Sequence, residues 1–462
     1  MTGTDDDATR LPACDAAVGG PRAESLSPSP SRRNLLRWAA FAGLSAPIAA
    51  CARATPGSTA AATTAPPAAS SAPGASATDA GVTTPAASPS PSLLIASPDH
   101  PVTWPIAADN PAIADGLTPE KGATLQLYNY VDYIDPAAIK SFEAKYKQYG
   151  VKVVISTFED TNEALAKLRA GAVPFDIYFP SYDAIGKLAL GGLLRPLTHS
   201  YIPNIKNVWP QFQNPFYDGG WQYSVPYTVY TTGISWRGDR VKEDIGARAN
   251  PYDVFWDTRY SGRISVLDDY REVETMVLLR MGITDINTTD DATLAKVRTA
   301  LLSLASTTHP KVTVSQYTDL PEGKLDVAQA WSGDAVNMQS YLPSGKNASI
   351  LRYWFPSDGK GVVNSDLMVV LRGGKNPVLA QLFINHLLDP AVAAANFSAI
   401  GYQPPQVGLN PKQLVADQTI PPSLASAAVL PEYFDTGYRT LELPPDVDAK
   451  WLANWSQFKA GG

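Results

Sequence analysis

The feature that most constrains the fold is an alternation of short apolar segments with amphipathic segments, which begins near Lys121. The segments "ATLQLYNY", "VKVVIST" and "FDIYFPS" have the composition of buried strands, and helical patterns open between them at Pro136 and Thr161. This βαβαβ order predicts an α/β fold with a largely parallel sheet that is covered on both faces. In such sheets, ligands bind beyond the carboxyl ends of the strands.

A second set of segments follows in the same style. "GRISVLDD" leads into a helix after Asp269, a helical pattern runs from Asp290 to Ser306, and strands are predicted around Val312 and Val327. "DLMVVL" and a helix after Pro377 then return to the earlier pattern. This order predicts two α/β lobes of similar size.

The two lobes require the chain to cross between them more than once. We place the crossings in "VPYTVYTTGISW" and near Asn364. The predicted lobes are then 121–231 plus 364–410 and 232–363 plus 411–462.

An export signal is predicted before the globular part. In "SRRNLLRWAAFAGLSAPIAAC", Arg32 and Arg33 precede an apolar segment that ends in small residues before Cys51. The pattern resembles a twin-arginine signal with a lipoprotein processing site. The apolar segment is shorter than the roughly 20 residues of a permanent membrane span. We therefore predict a signal peptide over 1–50 and lipidation of Cys51.

Residues 51–120 are predicted to form a flexible tether behind that lipid. Most of this segment consists of Ala, Ser, Thr, Pro and Gly, which cannot bury enough apolar surface to become ordered. The other cysteine, Cys14, lies before the cleavage point, so no disulfide is expected. The protein would be exported and held by its lipid alone at the outer face of the cytoplasmic membrane.

Composition excludes some partners. The chain has 462 residues, of which 45% are hydrophobic, and a formal net charge of −7. Without clusters of Lys and Arg, nucleic acid is not an expected partner, and neither is an anionic membrane surface. A large core and a monomeric state are compatible with these values.

Motifs for catalysis and cofactor binding are not found in the sequence. The four histidines are far apart, and there is no GxSxG elbow, P-loop or GxGxxG after a strand. We expect no cofactor, no metal and no enzymatic activity. A hydrolase stays an alternative, because glycosidases need only two carboxylates.

The acidic stretch "VLDDYREVE" has two interpretations. Asp269 and Glu272 have the spacing of a helix capping box, in which both carboxylates bind backbone N–H groups. The same carboxylates could instead hold a cationic ligand through charge-assisted hydrogen bonds. Aromatic side chains at the predicted strand ends favour the second role, since their faces attract ammonium groups and cover methylene chains.

Seven segments together resemble the spermidine/putrescine-binding proteins of bacterial polyamine importers. They are "YNYVDYI", "FDIYFPS", "VPYTVYTTGIS", "LDDYREV", "QAWSGDA", "NSDLMVV" and "IGYQPP", in the order and spacing of that family. The resemblance covers nearly all of 121–462. It implies a two-lobed periplasmic-binding-protein fold with a hinge, which closes on a polyamine and delivers it to the permease subunits of an ABC transporter.

The resemblance also implies a set of ligand contacts. The predicted contacts, which stand at or beside the family's contact positions, are Tyr130, Tyr133, Ser181, Asp183, Asp269, Glu272, Trp331, Asp366 and Tyr402. Tyr130 stands where the family has Trp, and Asp183 where it has Tyr. A second clamp Trp aligns with Val363, the nearby Asp with Ser365 beside Asp366, and a C-terminal Gln only loosely with Leu441.

These departures leave the solute open among putrescine, spermidine, spermine and another amine. A ferric ion or an anionic metabolite would be an alternative ligand of the same fold, and Arg271 is the one obvious anion-binding residue near the acidic pair. A hydrolase using Asp269 and Glu272 is the least favoured alternative. Carboxylates three residues apart on one helix are neighbours, whereas glycosidases place theirs on opposite sides of a bond.

Overall fold

The fold is described by a computed structural model, which covers residues 94–159, 161–171 and 173–461. These residues belong to one unit of the chain, 86–462. The predicted signal peptide, Cys51 and the first part of the predicted tether lie outside the described residues.

The described strands form a single mixed sheet. They are β1 (Thr124–Tyr130), β2 (Lys152–Phe158), β3 (Ile177–Tyr178), β4 (Ser224–Arg237), β5 (Ile264–Val266), β6 (Lys311–Val312), β7 (Val327–Trp331), β8 (Leu351–Trp354) and β9 (Val362–Val370). Their order in the sheet is β2-β1-β3-β9-β4-β7-β5-β6, with β8 paired to β4.

The helices pack around this sheet and are joined by loops and short 3₁₀ turns. They are α1 (Pro136–Lys145), α2 (Thr161–Ala170), α3 (Ile185–Leu190), α4 (Tyr270–Arg280), α5 (Asp291–Thr308), α6 (Gln316–Glu322), α7 (Ser332–Asn337), α8 (Pro377–Leu387), α9 (Pro390–Ile400), α10 (Pro411–Ala416), α11 (Tyr433–Thr436) and α12 (Pro445–Gly461). The predicted alternation of strands and helices is confirmed.

The local signals that start and stop the first helix act as expected. Asp135 caps α1 by accepting a hydrogen bond from the Ala137 N–H at 2.8 Å, and Pro136 occupies the first helical position. A 3₁₀ turn continues α1 as far as Tyr149, and Gly150 ends it at φ 69°, a conformation that glycine adopts without a Cβ clash.

The prediction of a largely parallel sheet is wrong for its centre. β1 is parallel to β2 and β3, and β5 is parallel to β6 and β7, as predicted. β4 and β9, however, are antiparallel to each other and to their outer neighbours. β4 carries the chain from the first half of the sheet to the second and β9 carries it back, so the two strands must run in opposite directions.

Apolar clusters pack against both halves of the sheet. Phe142 and Phe383 are fully buried against the half that contains β1. Val297 and Trp451, from α5 and α12, are fully buried against the half that contains β5. The longest shared element is β4, all of whose residues are buried.

The globular part begins before Lys121, which corrects the predicted extent of the tether. Val102 and Trp104 are buried in an apolar cluster with Tyr128. The Trp104 indole N–H donates to the Tyr217 carbonyl at 2.7 Å, and the Asn110 amide donates to the Leu194 carbonyl at 2.8 Å. A few apolar side chains are sufficient to dock this proline-rich segment, although its overall composition is typical of a linker.

Among the described residues, no single helix is long and apolar enough to span a membrane. Only α8 and α9 taken together, with a bend of 76° between them, have the length and apolar composition of a span.

Candidate functional site

Asp269 caps α4, as the first interpretation of the acidic stretch predicts. Its Oδ1 accepts hydrogen bonds from the backbone N–H groups of Arg271 at 2.9 Å and Glu272 at 3.2 Å. The residue has extended backbone angles, which is the usual conformation at this position. Capping therefore accounts for one oxygen of Asp269 and leaves the other available.

Glu272 does not close the predicted capping box. Its Oε1 accepts a hydrogen bond from the Trp331 indole N–H at 3.0 Å, and no described side chain or backbone group bonds to its Oε2. The residue is only 5% exposed and lies beside a cavity of about 10 Å³, which has room for one water molecule. The side chain thus points towards β7 and away from the end of its own helix.

Burial and mutual repulsion disfavour the charged forms of this pair. Burial raises the pKa of Asp269 to about 6, and the charge of Asp183 adds to the increase. Burial also raises the pKa of Glu272 to about 8, with a further contribution from Asp269. A cation beside these carboxylates would lower both pKa values again.

Asp366 supplies a third buried carboxylate from β9. The Tyr133 hydroxyl donates to its Oδ2 at 2.6 Å and lies 2.5 Å from the Thr228 hydroxyl oxygen. Burial raises the pKa of Asp366 to about 7; the Tyr133 hydrogen bond opposes this increase, and the charge of Asp183 adds to it. Asp366 is paired with Thr228 across the β4–β9 ladder, so both project from one face.

The pairing of β4 with β9 shows that Val363 and Ser365, which align with two ligand contacts of the family, do not face the site. Tyr230 pairs with Asn364 two residues along, so these residues share the face of Asp366. Val363 and Ser365 project from the opposite face, and both are fully buried. The residue that faces the site two positions before Asp366 is therefore Asn364, and Val363 is not in the wall of the site.

Ser181 and Asp183 lie next to Asp366 on the loop after β3. The Ser181 hydroxyl donates to Asp183 Oδ1 at 2.5 Å, and Ser181 forms an isolated antiparallel bridge with Asp366. The Leu367 N–H also donates to the Pro180 carbonyl at 2.8 Å. This loop follows the carboxyl end of β3, where ligands of α/β sheets are expected.

Aromatic rings join these carboxylates into one cluster. Tyr133 makes edge contacts with Tyr130 and Tyr402, with ring centres 5.5 and 4.7 Å apart. The centre of the Tyr230 ring lies 6.2 Å from that of Tyr402 and 6.3 Å from that of Trp331. The nine predicted site residues are thus brought together, with Tyr230 between the group that contains Tyr133 and the group that contains Glu272.

Two residues of this cluster, Tyr230 and Asp334, are not among the nine predicted ligand contacts. Tyr230 could have been found from the alternation of side chains along β4. Asp334 lies within the segment "QAWSGDA"; its two oxygens accept from the Tyr402 hydroxyl at 2.9 Å and the Gln316 amide at 2.6 Å. A Cβ at Gly333 would collide with the Tyr402 ring, so Gly333 and Asp334 together position that ring.

Arg271 is not free to bind an anion. Its guanidinium donates to the Leu441 carbonyl at 2.8 Å and to the Asn287 side chain at 2.6 Å, and it lies 4.7 Å from the centre of the Trp451 ring. In the described part of the chain, no Lys, Arg or His forms a salt bridge with Asp183, Asp269, Glu272 or Asp366. These carboxylates therefore have no salt-bridge partner among the described residues, although the charge of Arg271 partly opposes the raised pKa values of Asp269 and Glu272.

Comparison with known proteins identifies the family of this chain. Residues 137–422 match the family described as bacterial extracellular solute-binding protein. Spermidine/putrescine-binding periplasmic protein 1 of Haemophilus influenzae is 29% identical over 310 residues, which cover 65% of this chain and 81% of that protein. A putrescine-binding periplasmic protein of Escherichia coli is 32% identical over 299 residues, which cover 61% and 78%.

A solved structure shows the same fold. The spermidine/putrescine ABC transporter substrate-binding protein of Streptococcus pneumoniae superposes with a TM-score of 0.59 at 26% identity, over 73% of this chain and 99% of that one. The predicted α/β periplasmic-binding-protein fold is thereby confirmed. The family match covers more than half of the sequence, and the chain belongs to the bacterial extracellular solute-binding proteins.

Proposed function

We propose that the protein is a receptor that captures a polyamine and delivers it to the permease of an ABC importer. The observation that carries this proposal is a set of three carboxylates: Glu272 and Asp366 are buried beside Trp331 and Tyr133, and Asp269 is half-buried at the start of the helix that bears Glu272. None of the three forms a salt bridge with a described residue. Both relatives named above bind putrescine according to their names, and one is also named for spermidine.

The chemistry of a polyamine matches this site. Its ammonium groups have an ordinary pKa near that of lysine, about 10, and are charged at neutral pH. Each can donate hydrogen bonds to a carboxylate, and the methylene chain between them can lie against Tyr130, Tyr133 or Trp331. Arg271, the residue beside the acidic pair that could have bound an anionic solute, is occupied by carbonyl and amide groups.

Other functions have less support. In the part of the chain that the structure describes, no group of three or more His, Cys, Asp or Glu side chains is arranged to hold a metal ion. For a hydrolase, Asp269 and Glu272 would have to flank a substrate bond, yet Asp269 caps the helix on which Glu272 lies. We therefore assign no catalytic role to them.

Capture and release require two lobes that move about a hinge. We assign the lobes to 121–231 plus 364–410 and to 232–363 plus 411–462, with Leu94–Glu120 added to the first. β4 and β9 connect them, and both strands contribute residues to the site, Thr228 and Tyr230 from β4 and Asp366 from β9. A ligand held between the lobes would favour the closed arrangement by contacting both.

As a member of an extracellular family, the protein is exported. We infer further that Cys51 carries a lipid that holds it at the outer face of the membrane, as the sequence before it suggests. Cys51→Ser should then release the protein into the soluble fraction, because no other anchor is expected. The lipoprotein assignment would be wrong if this variant still sedimented with membranes after a salt wash.

Calorimetric titration of the full-length chain tests the proposed function. The panel comprises putrescine, spermidine, spermine, a neutral amino acid and a dicarboxylic acid. We expect saturable binding of one or more polyamines and none of the dicarboxylic acid. Binding confined to the amino acid or the acid would overturn the proposal.

A further inference from the structure

One more buried carboxylate, Glu442, lies beside the site in the segment that precedes α12. The Thr440 N–H donates to Asn364 Oδ1 at 3.3 Å, and the Leu441 carbonyl accepts from Arg271. Asn364 is two residues from Asp366 on the same face of β9, and Arg271 is two residues from Asp269. The backbone at Glu442 is therefore fixed between the strand and the helix that present two of the site carboxylates.

The Glu442 side chain points towards Asp183. A Cβ added at Gly186 would collide with Glu442 Oε2, so this oxygen lies directly over Gly186. Gly186 is one helical turn after Asp183 and on the same face. Glu442 is 8% exposed and makes no hydrogen bond or salt bridge with any described residue. Burial raises its pKa to about 7; Lys187 opposes this increase, while Asp183 and Asp448 add to it.

The nearby cations are already engaged elsewhere. Lys187 Nζ lies 3.6 Å from an Asp448 oxygen, and Arg439 donates to the Phe434 carbonyl. Arg271 is held by Leu441 and Asn287, as described above. No basic side chain in the described chain forms a salt bridge with Asp183 or Glu442, and Lys187, whose charge partly opposes the raised pKa of Glu442, is paired with Asp448.

The site then has three acidic positions. Glu272 lies beside Trp331, Asp366 beside Tyr133, and Asp183 beside Glu442. We propose that Asp183 and Glu442 bind an additional ammonium group, so that the preferred ligand is a linear amine with at least three cationic nitrogens. This inference rests on the proposed function, since it concerns which polyamine the same site selects.

The number of acidic positions favours a triamine over a diamine as the ligand. A buried carboxylate that remains without a cation is strongly disfavoured, and it must either bind a cation or take up a proton. A diamine supplies two ammonium groups and leaves one of the three positions unpaired. Asp183 also interacts with Asp269, Asp366 and Glu442, raising the pKa of each, so a cation beside Asp183 relieves repulsion at all of them.

Three ligands separate the number of charges from molecular length. They are spermidine, putrescine, and a diamine with the end-to-end length of spermidine in which a methylene replaces the central nitrogen. Titration calorimetry with the full-length wild-type chain should show spermidine binding at least about tenfold more tightly than either diamine, the ratio expected for one charge-assisted hydrogen bond.

Two substitutions locate the additional position. Glu442→Gln should weaken spermidine binding about tenfold and change putrescine binding by less than about threefold, and Asp183→Asn should also weaken spermidine binding about tenfold. Asp268→Asn is the matched control, because Asp268 is exposed, pairs with Lys459 and lies next to Asp269 in the chain. It removes the same charge nearby and should alter neither affinity. Melting curves without ligand establish that each variant is folded.

The outcomes distinguish the inference from the function on which it rests. Equal affinities for the three ligands, or tighter binding of putrescine, would overturn the inference and leave the receptor function intact. If both variants still bind spermidine more tightly than putrescine by the wild-type ratio, Asp183 and Glu442 do not bind the additional ammonium group, and the inference is wrong. If wild type binds none of the three amines, the proposed function itself fails.

Discussion

The replacement of Glu272 by Gln should stabilise the protein without ligand and weaken its binding of polyamine. Gln is close to Glu in shape, so its carbonyl oxygen can still accept the Trp331 indole hydrogen bond that Glu272 accepts at 3.0 Å. Its amide can also donate to the Thr232 hydroxyl, which lies beside the carboxylate of Glu272. The substitution therefore removes a charge with little change in packing.

The sign of the stability change follows from the raised pKa. Burial raises the pKa of Glu272 from 4.5 to about 8, so the folded state disfavours the ionised form. The contribution of this group to stability is complete below about pH 4.5 and is lost as the pH rises through about 8. Glu272→Gln has no such dependence, and its advantage at pH 8 should be on the order of 1 kcal/mol or more.

Binding should change in the opposite direction. A charge-assisted hydrogen bond to an ammonium group contributes roughly 1.5–3 kcal/mol, so its loss should weaken spermidine binding about ten- to a hundredfold. Melting temperature at pH 5 and pH 8 without ligand, together with calorimetric affinity, measures both effects. A gain of 1 kcal/mol corresponds to roughly 1–2 °C in a chain of this size. Asp268→Asn, which removes an exposed charge nearby, serves as control.

Two results would refute this reasoning. If Glu272→Gln melts at a lower temperature than wild type at pH 8, the carboxylate is stabilising and must have a partner in the folded protein. If the affinity for spermidine stays within about twofold, Glu272 does not hold an ammonium group, since even a weak charge-assisted bond exceeds that change.

Three further predictions concern the same site. Polyamine affinity should rise between pH 5.5 and 8, because the ligand's ammonium groups stay charged while Asp269 and Asp366, with pKa values of about 6 and 7, ionise. Binding should also release protons, which calorimetry in two buffers of different ionisation enthalpy measures. An affinity that does not change with pH would contradict this prediction. Trp331→Ala should weaken polyamine binding by about 1–2 kcal/mol, whereas Trp331→Phe should weaken it less because an aromatic ring remains. If both variants fold and bind polyamine as tightly as wild type, the ring of Trp331 lies outside the site. Asp269→Asn should not lower the ligand-free melting temperature, because Asn caps a helix as well as Asp and the raised pKa of Asp269 already disfavours its charged form. It should lose about tenfold in affinity, whereas Asp269→Ala should also lose the cap and melt at a lower temperature; a cap-only role predicts unchanged binding in Asp269→Asn.

The order of strands and helices could be predicted because each has its own apolar period. The direction of β4 and β9 could not, since periodicity shows that a strand is buried but not which neighbour it joins. The docking of Val102 and Trp104 was missed for a related reason. Linker composition predicts disorder on average, whereas two buried side chains and a few hydrogen bonds decide where this segment lies.

Within the site, residue types were predictable but the directions of side chains were not. The spacing of Asp269 and Glu272 fits a capping box, yet Glu272 turns towards Trp331, a contact between residues 59 positions apart. Which of Val363, Asn364 and Ser365 faces the ligand depends on pairing with β4, because a shift of one residue exchanges the two faces. Glu442 has no local pattern and becomes visible only through its position over Gly186.

Charge pairing separates the carboxylates that stabilise this fold from those that we assign to the ligand. Asp239 forms a salt bridge with Arg237 that lowers its pKa to about 2, and Asp326 is paired with Arg263 in the same way. In the site, Asp366 and Glu272 have raised pKa values and no basic partner among the described residues. Bringing such charges together without a counter-ion opposes closure of the two lobes, and a polyamine removes that opposition by supplying the cations. Part of the binding energy is therefore used to close the receptor, which gives the importer a means to distinguish the loaded receptor from the empty one.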